Sequence, residues 1–97
     1  MRDFKSYIIE LKGKLKIKSD YGIADYLDIP RQSMTKVNNG EVLGKTKCLR
    51  MAVVLKRDPI EIIATAEAQK EKDKELKAIW IKLAKEKGNE DNWEKAS

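Results

Sequence analysis

The chain has 97 residues, with 21 Lys and Arg against 16 Asp and Glu, a formal net charge of +5 and 38% charged residues. This length and composition predict one domain with a modest core and a heavily solvated surface. The chain has no histidine and a single cysteine, Cys48, which excludes His/Cys metal clusters, Cys–His and Ser–His nucleophile systems and an intrachain disulfide. We expect Cys48 to act as a small apolar residue in a helical core. We also expect that the protein is not an enzyme and that it needs no cofactor.

Positive charge is concentrated in the first part of the chain. Residues 1–58 contain 13 basic and 7 acidic residues, a net +6, whereas residues 59–97 contain 8 and 9, a net −1. An anionic partner is therefore expected at 1–58, although a lysine-rich solvated surface would give the same composition. The apolar runs are too short to span a membrane, and the first residues lack the apolar segment of a signal peptide. We expect a cytoplasmic protein, of bacterial or phage origin.

The first part of the chain has the apolar spacing of three helices, and strand-like alternation is absent. We predict a first helix over about 3–16, which buries a stripe formed by Phe4, Tyr7, Ile8, Leu11 and Leu15. A second helix over 19–27 can be capped by either of its first two residues, Ser or Asp. Pro30 suits the opening of a third helix, which ends at Asn39-Gly40.

A fourth and a fifth helix are predicted after the loop at 41–44. The fourth, about 45–56, is expected to bury Cys48, Leu49, Ala52, Val53 and Leu55. The stretch Asp58-Pro59-Ile60-Glu61 is a start signal, because Asp can cap, Pro suits the first helical position and Glu can reach back to the cap. The fifth helix then runs to about Lys70 and turns inward Ile60, Ile63 and Ala64.

The polar run at 69–75 either breaks the chain or continues as a solvated helix. A break is the preferred interpretation, with Asp73 capping a sixth helix that ends at Gly88-Asn89. Residues 90–97 are expected to be frayed apart from Trp93. The fold class predicted is therefore all-α, with five or six helices.

Residues 19–40 join two short helices by a tight turn, which predicts a helix-turn-helix unit. Ala24 is the small residue at the crossing, and the pair is locked by Ile23, Leu27, Ile29, Met34 and Val37. The third helix must then project outward Arg31, Gln32, Ser33, Thr35 and Lys36. Between Asp28 and Glu41 there is no carboxylate. Because a helix fits the major groove of B-DNA, where Arg and Lys donate to guanine and Gln bonds adenine, this face is suited to reading bases.

The same stretch carries a family pattern. Ile23-Ala24, Leu27-Asp28-Ile29-Pro30, Met34-Thr35 and Asn39-Gly40 align without a gap with Leu-Ala, Leu-Gly-Ile-Ser, Ile-Ser and Asn-Gly. In these positions the chain resembles the lambda-repressor-like (Cro/Xre type) helix-turn-helix family, and the resemblance extends over roughly residues 4–66. It implies a compact all-α DNA-binding domain of a small phage-type transcriptional repressor.

The resemblance also implies roles for individual residues. The expected base readers are Arg31, Gln32 and Lys36. The residues expected along the sugar–phosphate backbone are Ser33, Thr35 and Asn39. Further phosphate contacts are expected where amides and ammonium groups meet at the next helix start, and beside the motif, from Lys45, Lys47 and Lys18. The alternative is that the basic residues are ordinary solvated charges and that Asn39 is a helix stop.

Three positions depart from the family pattern. Asp20 stands where the family usually has a Gln that contacts a phosphate, which a carboxylate would repel. Asp28 replaces the turn glycine and adopts a left-handed conformation only at some cost, and Pro30 replaces the capping Ser. We interpret Tyr21 and Tyr26 as packing or surface residues rather than as stacking platforms.

The sixth helix lies in a C-terminal segment, 71–97, that follows the DNA-binding domain at 1–70. Its apolar stripe, expected to mediate dimerisation, consists of Leu76, Ile79, Trp80 and Leu83. A single helix-turn-helix contacts too few base pairs to find one site in a genome, so such domains usually work as pairs. The alternative is that the helix folds back over the first helix to complete the core, and one helix can do both.

The sequence therefore predicts a sequence-specific transcriptional repressor of phage or mobile-element origin that binds a two-fold operator in double-stranded DNA as a homodimer. Its own gene is a candidate target, and a DNA-bound protein is expected to be nucleoid-associated. The short chain favours control by concentration, by a protein antirepressor or by another partner over self-cleavage. Two alternatives stay open: an antitoxin that binds a toxin through 59–97, and a protein-interaction module of the same fold without DNA binding.

Overall fold

The computed structural model of the protein describes residues 2–88. Six helices make up this part of the chain: α1 (Phe4–Leu15), α2 (Asp20–Leu27), α3 (Arg31–Asn38), α4 (Lys45–Leu55), α5 (Pro59–Lys70) and α6 (Lys74–Lys87). No strand lies within 2–88, and the predicted all-α class with five or six helices is confirmed. The expectations for Asn89 and for 90–97 with Trp93 fall outside the described residues.

Polar side chains cap the start of four of the six helices of residues 2–88. Side chains accept a backbone N–H from the first turn of α1, α2, α5 and α6, and these caps are Asp3, Ser19, Asp58 and Asp73. Such a cap is worth about 1 kcal/mol, because it satisfies an amide that has no partner within its helix. Asp73 accepts from the amides of Glu75 and Leu76 at 2.9 and 3.0 Å. The polar run at 69–75 is therefore a break, as predicted.

The core lies between α1 and the next four helices. The predicted stripe of α1 is confirmed at Phe4, Tyr7, Ile8 and Leu11, each at most 2% exposed, while Leu15 packs half-buried against their cluster. The predicted locking residues of α2 and α3 lie in the same cluster, with Ile29 half-buried at its edge. This shared core holds α3 against the rest of the molecule.

Two predicted inward faces are confirmed only in part. In α4 the predicted Cys48, Ala52 and Leu55 are buried, whereas Leu49 and Val53 are 47% and 78% exposed. Met51, which was not predicted, completes the buried stripe of α4 at spacings of three and four. In α5 the predicted Ala64 is buried and Ile63 packs half-buried against the core, but Ile60 is 39% exposed and the unpredicted Ile62 is fully buried.

Helix α6 packs chiefly on α5 rather than over α1. Small residues allow this approach, since Ala64, Ala68 and Ala84 are buried but lie outside the main core cluster. At the end of α6, a Cβ on Gly88 would come within 2.8 Å of the Glu61 side chain. The C-terminal turn of α6 therefore lies directly over the first turn of α5.

Glu61 is one of the few polar residues in the interior, at 4% exposed. The start signal predicted that Glu61 reaches back to its helix cap, and this prediction is wrong. Its carboxylate instead accepts from the hydroxyl of Tyr7 at 2.5 Å and from Arg57 at 3.2 Å. Arg57 also donates to both carboxylate oxygens of Glu10, at 2.9 and 3.1 Å. This network ties α1 to the start of α5.

Candidate nucleic-acid interface

The α2–α3 unit turns at Asp28. This residue adopts the left-handed conformation with φ 56°, as predicted, and Asp tolerates that region better than most side chains. The N–H of Ile29 donates to the carbonyl of Ala24 at 2.9 Å across the turn. Ala24 is 1% exposed, which fits its predicted place where the two helices cross.

Helix α3 has one buried and one exposed face. Met34 and Val37 are 2% and 1% exposed. The opposite face carries four exposed residues, Arg31, Gln32, Thr35 and Lys36, with Ser33 half-buried beside them. Pro30 offers no side-chain cap, as expected, and α3 itself contains no carboxylate. The exposed face therefore presents hydrogen-bond donors and two positive charges to solvent.

A groove of about 460 Å³ joins α3 to the start of α4. Four predicted DNA-contacting residues line it: Ser33, Lys36, Lys45 and Lys47. Gly44 precedes α4 without a side-chain cap, so the first amides of α4 are available to an anion. Glu41 contributes a carboxylate to the same lining. Base-reading and phosphate-binding candidates thus share one surface, with one acidic residue at its edge.

Three backbone candidates, Thr35, Asn39 and Lys18, do not line that groove. Thr35 lines a smaller cleft with Tyr21 and Arg31. Asn39 is exposed just after α3, where its N–H donates to the carbonyl of Lys36 at 3.0 Å and helps to end the helix. Lys18 lines a separate open depression of about 480 Å³ with Lys12 and Lys16. The structure therefore brings the lysines of α3 and α4 together and leaves Lys18 on a different part of the surface.

Arg31 stacks on Tyr21. The guanidinium carbon lies 3.7 Å from the ring centroid, and Nη1 donates to the tyrosine hydroxyl at 2.7 Å. Tyr21 is 53% exposed, so this contact lies at the surface. Sequence reasoning missed the pair and interpreted Tyr21 as a packing or surface residue. The two residues belong to different helices, and no local spacing rule connects them.

Asp20 is neutralised by neighbours from two other helices. Its carboxylate pairs with the Lys12 ammonium at 2.7 Å and accepts from the side-chain amide of Asn38 at 3.0 Å. The hydrogen bond from Lys12, followed by that from Asn38, lowers the pKa of Asp20 below its ordinary value. The carboxylate that departs from the family pattern is therefore paired with other residues of the protein, and sequence reasoning did not find these partners.

The four predicted dimerisation residues divide into two pairs. Leu76 and Ile79 are 49% and 61% exposed on α6. Trp80 and Leu83 are half-buried. The open apolar surface of α6 is thus centred on Leu76 and Ile79, and the role of these residues in dimerisation stays a prediction.

The cysteine Cys48 lies in the core beside the loop before α4. Cys48 is 1% exposed, as predicted, and its thiol donates to the carbonyl of Leu43 at 3.7 Å. Burial raises the pKa of this thiol to about 11, so it remains protonated at neutral pH. Within residues 2–88, no group of three or more His, Cys, Asp or Glu side chains is arranged to hold a metal ion.

Comparison with known proteins gives no relative. No family model, no curated protein and no solved structure matches this chain. Among the helices of residues 2–88, none combines the length and the apolar character needed to cross a membrane.

Proposed function

We propose that this chain is a sequence-specific DNA-binding repressor of the lambda-repressor-like helix-turn-helix type, with α3 as its recognition helix. The observation that carries the proposal is the two-sided character of α3. Met34 and Val37 fix the helix in the core, while Arg31, Gln32 and Lys36 stand exposed on a helix without a carboxylate. A helix held in this way can enter the major groove and present donors to base edges.

The groove between α3 and α4 supplies the phosphate contacts in this proposal. Lys45 and Lys47 lie beside Lys36 along its lining, and the uncapped start of α4 adds backbone amides. Phosphate contacts fix the register of a protein on DNA, and base contacts then specify the sequence. Glu41 in the same lining disfavours a phosphate at its own position, so the DNA backbone is expected to follow the lysines.

Homodimerisation on a two-fold operator completes the proposal, with repression by occlusion of RNA polymerase. The exposed Leu76 and Ile79 of α6 support a self-matching contact, because exposed apolar side chains on one helix gain from mutual burial. A phage or mobile-element origin, regulation of its own gene and a place at the nucleoid belong to the same proposal.

The test is binding to labelled duplex DNA from the region upstream of the gene, compared with a scrambled duplex, across about 50–200 mM salt. We expect the upstream duplex to be preferred by roughly a thousandfold or more, with half-sites about one helical turn apart. Lys36→Glu should weaken specific binding by at least about tenfold, since it removes a donor and adds a charge that DNA repels.

Lys87→Glu is the matched control for Lys36→Glu. Gln69 at the end of α5 donates to the carbonyl of Gly40 beside α3, whereas Gly88 packs on Glu61 at the start of α5. Lys87 therefore lies at the end of α5 remote from α3, and its charge reversal should change affinity far less. Equal losses in the two variants would indicate a response to net charge alone, and no binding of wild type at moderate salt would overturn the proposal.

A protein-binding role is the second candidate, as the antitoxin of a toxin–antitoxin module or as an interaction module without DNA binding. It is favoured by apolar side chains that α4 and α6 leave exposed: Leu49, Val53, Leu76 and Ile79. Lys36→Glu separates the alternatives. It should weaken operator binding by an antitoxin as it does for a repressor while leaving toxin binding intact, and a pure interaction module should show no DNA binding to lose.

A further inference from the structure

We infer that Tyr21 is a positioning residue for Arg31 and that the pair reads a guanine in each half of the operator. This inference rests on the proposed function and deepens it, because it names the base and the side chain that prepares the contact. The residue that would touch DNA is Arg31, and Tyr21 acts through it.

Two contacts hold the Arg31 guanidinium in one place. Its carbon lies 3.7 Å from the centroid of the Tyr21 ring, and Nη1 donates to the tyrosine hydroxyl at 2.7 Å. A free arginine loses much rotamer freedom when it binds, whereas a stacked and hydrogen-bonded one has already been ordered. Tyr21 lies in the first turn of α2 and Arg31 is the first residue of α3, so the pair sits at the N-terminal end of α3, where recognition helices reach base edges.

The hydrogen bond to Tyr21 decides which edge of the guanidinium stays available. Nη1 is engaged, while Nε and Nη2 make no hydrogen bond to any residue within 2–88. These two nitrogens form an edge with two parallel donors, which matches the O6 and N7 acceptors of guanine in the major groove. Adenine presents an amino group beside N7, so the same edge meets a donor there and rejects it.

Asp20 lines the same small cleft as Tyr21 and Arg31, and an unpaired carboxylate there would compete with DNA for the guanidinium. It is instead paired with Lys12 at 2.7 Å and bonded by Asn38 at 3.0 Å. These partners keep the carboxylate occupied and leave Arg31 with an aromatic partner. An arginine in contact with a phenol rather than a carboxylate has no anion of the protein competing for the donors that a ligand would use.

The experiment is selection of bound sequences from a random-sequence duplex library, run with wild type, Arg31→Ala, Tyr21→Phe and Tyr21→Leu. Wild type should enrich one guanine at a fixed position of each half-site. Arg31→Ala and Tyr21→Leu should lose enrichment at that position alone, and Tyr21→Phe, which keeps the ring but not the hydroxyl, should lose part of it. Gln32→Ala is the control, because it should change a different position and leave this guanine enriched.

A chemical change in the DNA then tests the contact itself. Replacing the enriched guanine by 7-deazaguanine removes the N7 acceptor and should lower wild-type affinity by roughly 5- to 100-fold. Arg31→Ala and Tyr21→Leu should bind both duplexes equally. Because Tyr21 is half exposed, its variants should melt at the wild-type temperature, which separates positioning from a structural role.

The outcomes distinguish the inference from the function on which it rests. If wild type enriches no sequence, the proposed function fails and this inference fails with it. If wild type enriches a site but Tyr21→Leu keeps every preference of wild type, the function stands and Tyr21 has no positioning role. Loss of affinity in Arg31→Ala without loss of preference at any one position would show a phosphate contact in place of a base contact.

Discussion

Arg57 joins two carboxylates that come from different helices. It donates to Glu10 of α1 and to Glu61 of α5, and Arg2 adds a second guanidinium to Glu10 at 2.9 Å. Burial by itself would raise the pKa of Glu10, but the hydrogen bonds from Arg57 and Arg2 outweigh it and lower that pKa. The ionised form of Glu10 is therefore part of what attaches α1 to α5.

We predict that Glu10 makes the fold sensitive to acid. A carboxylate with a lowered pKa in the folded state contributes stability above its unfolded pKa, here 4.5, and loses that contribution as the pH falls through the folded value. Glu10→Gln should lower the free energy of unfolding by about 1–2 kcal/mol at pH 7, discounted for a side chain one-third exposed. Urea denaturation followed by circular dichroism at pH 7, 5, 4 and 3 measures both effects.

Glu86→Gln is the matched control for Glu10→Gln, since Glu86 is an exposed acid on α6. It should follow the wild-type pH profile closely, whereas Glu10→Gln should lose less stability than wild type between pH 5 and pH 3. Asp20 titrates in all three proteins and does not affect the comparison. Parallel profiles for wild type and Glu10→Gln would show that Glu10 has no such role.

At the scale of the element, the sequence pattern determined which face of α3 is buried, but it did not determine which face of α4 is buried. In α3, Met34 and Val37 are the apolar residues, so one inward face was possible and the exposed donors followed from it. In α4, seven of the eight residues from Cys48 to Leu55 are apolar, and periodicity cannot select a face. The core around α1 and α5 makes the choice, and it buries Met51 in place of Leu49 and Val53.

Contacts between distant elements were the other part that the sequence could not provide. The caps at Asp58 and Asp73 and the turn at Asp28 are local, and they were predicted correctly. The cap at Asp3 was not predicted, and Ser19 was one of two candidates. The pairs Tyr7–Glu61, Asp20–Lys12 and Arg31–Tyr21 depend on how helices approach one another. In the candidate interface, the sequence therefore predicted which residues of α3 face outward but missed what holds Arg31 and neutralises Asp20.

Docking of α6 on α5 leads to a prediction at Gly88. A Cβ there would meet the Glu61 side chain at 2.8 Å and the carbonyl of Ala84 at 2.9 Å, and Tyr7 and Arg57 prevent Glu61 from moving aside. Gly88→Ala should therefore lower the free energy of unfolding by about 1–3 kcal/mol. Strain in the dihedral angles of residue 88 is not the cause, because alanine readily adopts φ −96° and ψ 16°.

Gly13→Ala gives the opposite sign and serves as the control for Gly88→Ala. Gly13 lies within α1 with nothing within 4 Å of a Cβ, so alanine should stabilise the helix by about 0.5–1 kcal/mol. Thermal denaturation of both variants at one pH compares them. Stabilisation by Gly88→Ala as well would mean that the end of α6 does not lie against Glu61 in solution.

On the scale of the whole molecule, α5 separates the candidate DNA-reading surface from the end of α6. Gln69 near the end of α5 bonds both the amide of Phe4 and the carbonyl of Gly40. At the other end of α5, Glu61 contacts Gly88 of α6. The C-terminal turn of α6 therefore lies at the end of α5 remote from Gly40, whereas Leu76 and Ile79 stand in the N-terminal half of α6.

The last prediction concerns how two copies meet. If two α6 helices cross antiparallel with Ile79 at the two-fold axis, residues three or four positions before Ile79 lie beside residues three or four positions after it in the second copy. Leu76 then lies near Leu83 of the second copy, and Glu75 lies near its Lys82. Ile79→Glu should then convert the dimer to a monomer in sedimentation equilibrium, because it places two like charges at the axis. Ile9→Glu, at an apolar side chain of α1 that is 60% exposed, should remain dimeric.

A charge swap tests the same antiparallel arrangement. Glu75→Lys and Lys82→Glu should each weaken association, and the double variant should restore it, most clearly at low salt. A dimer unaffected by Ile79→Glu would place the interface elsewhere, and a monomeric wild type would show that there is no such interface.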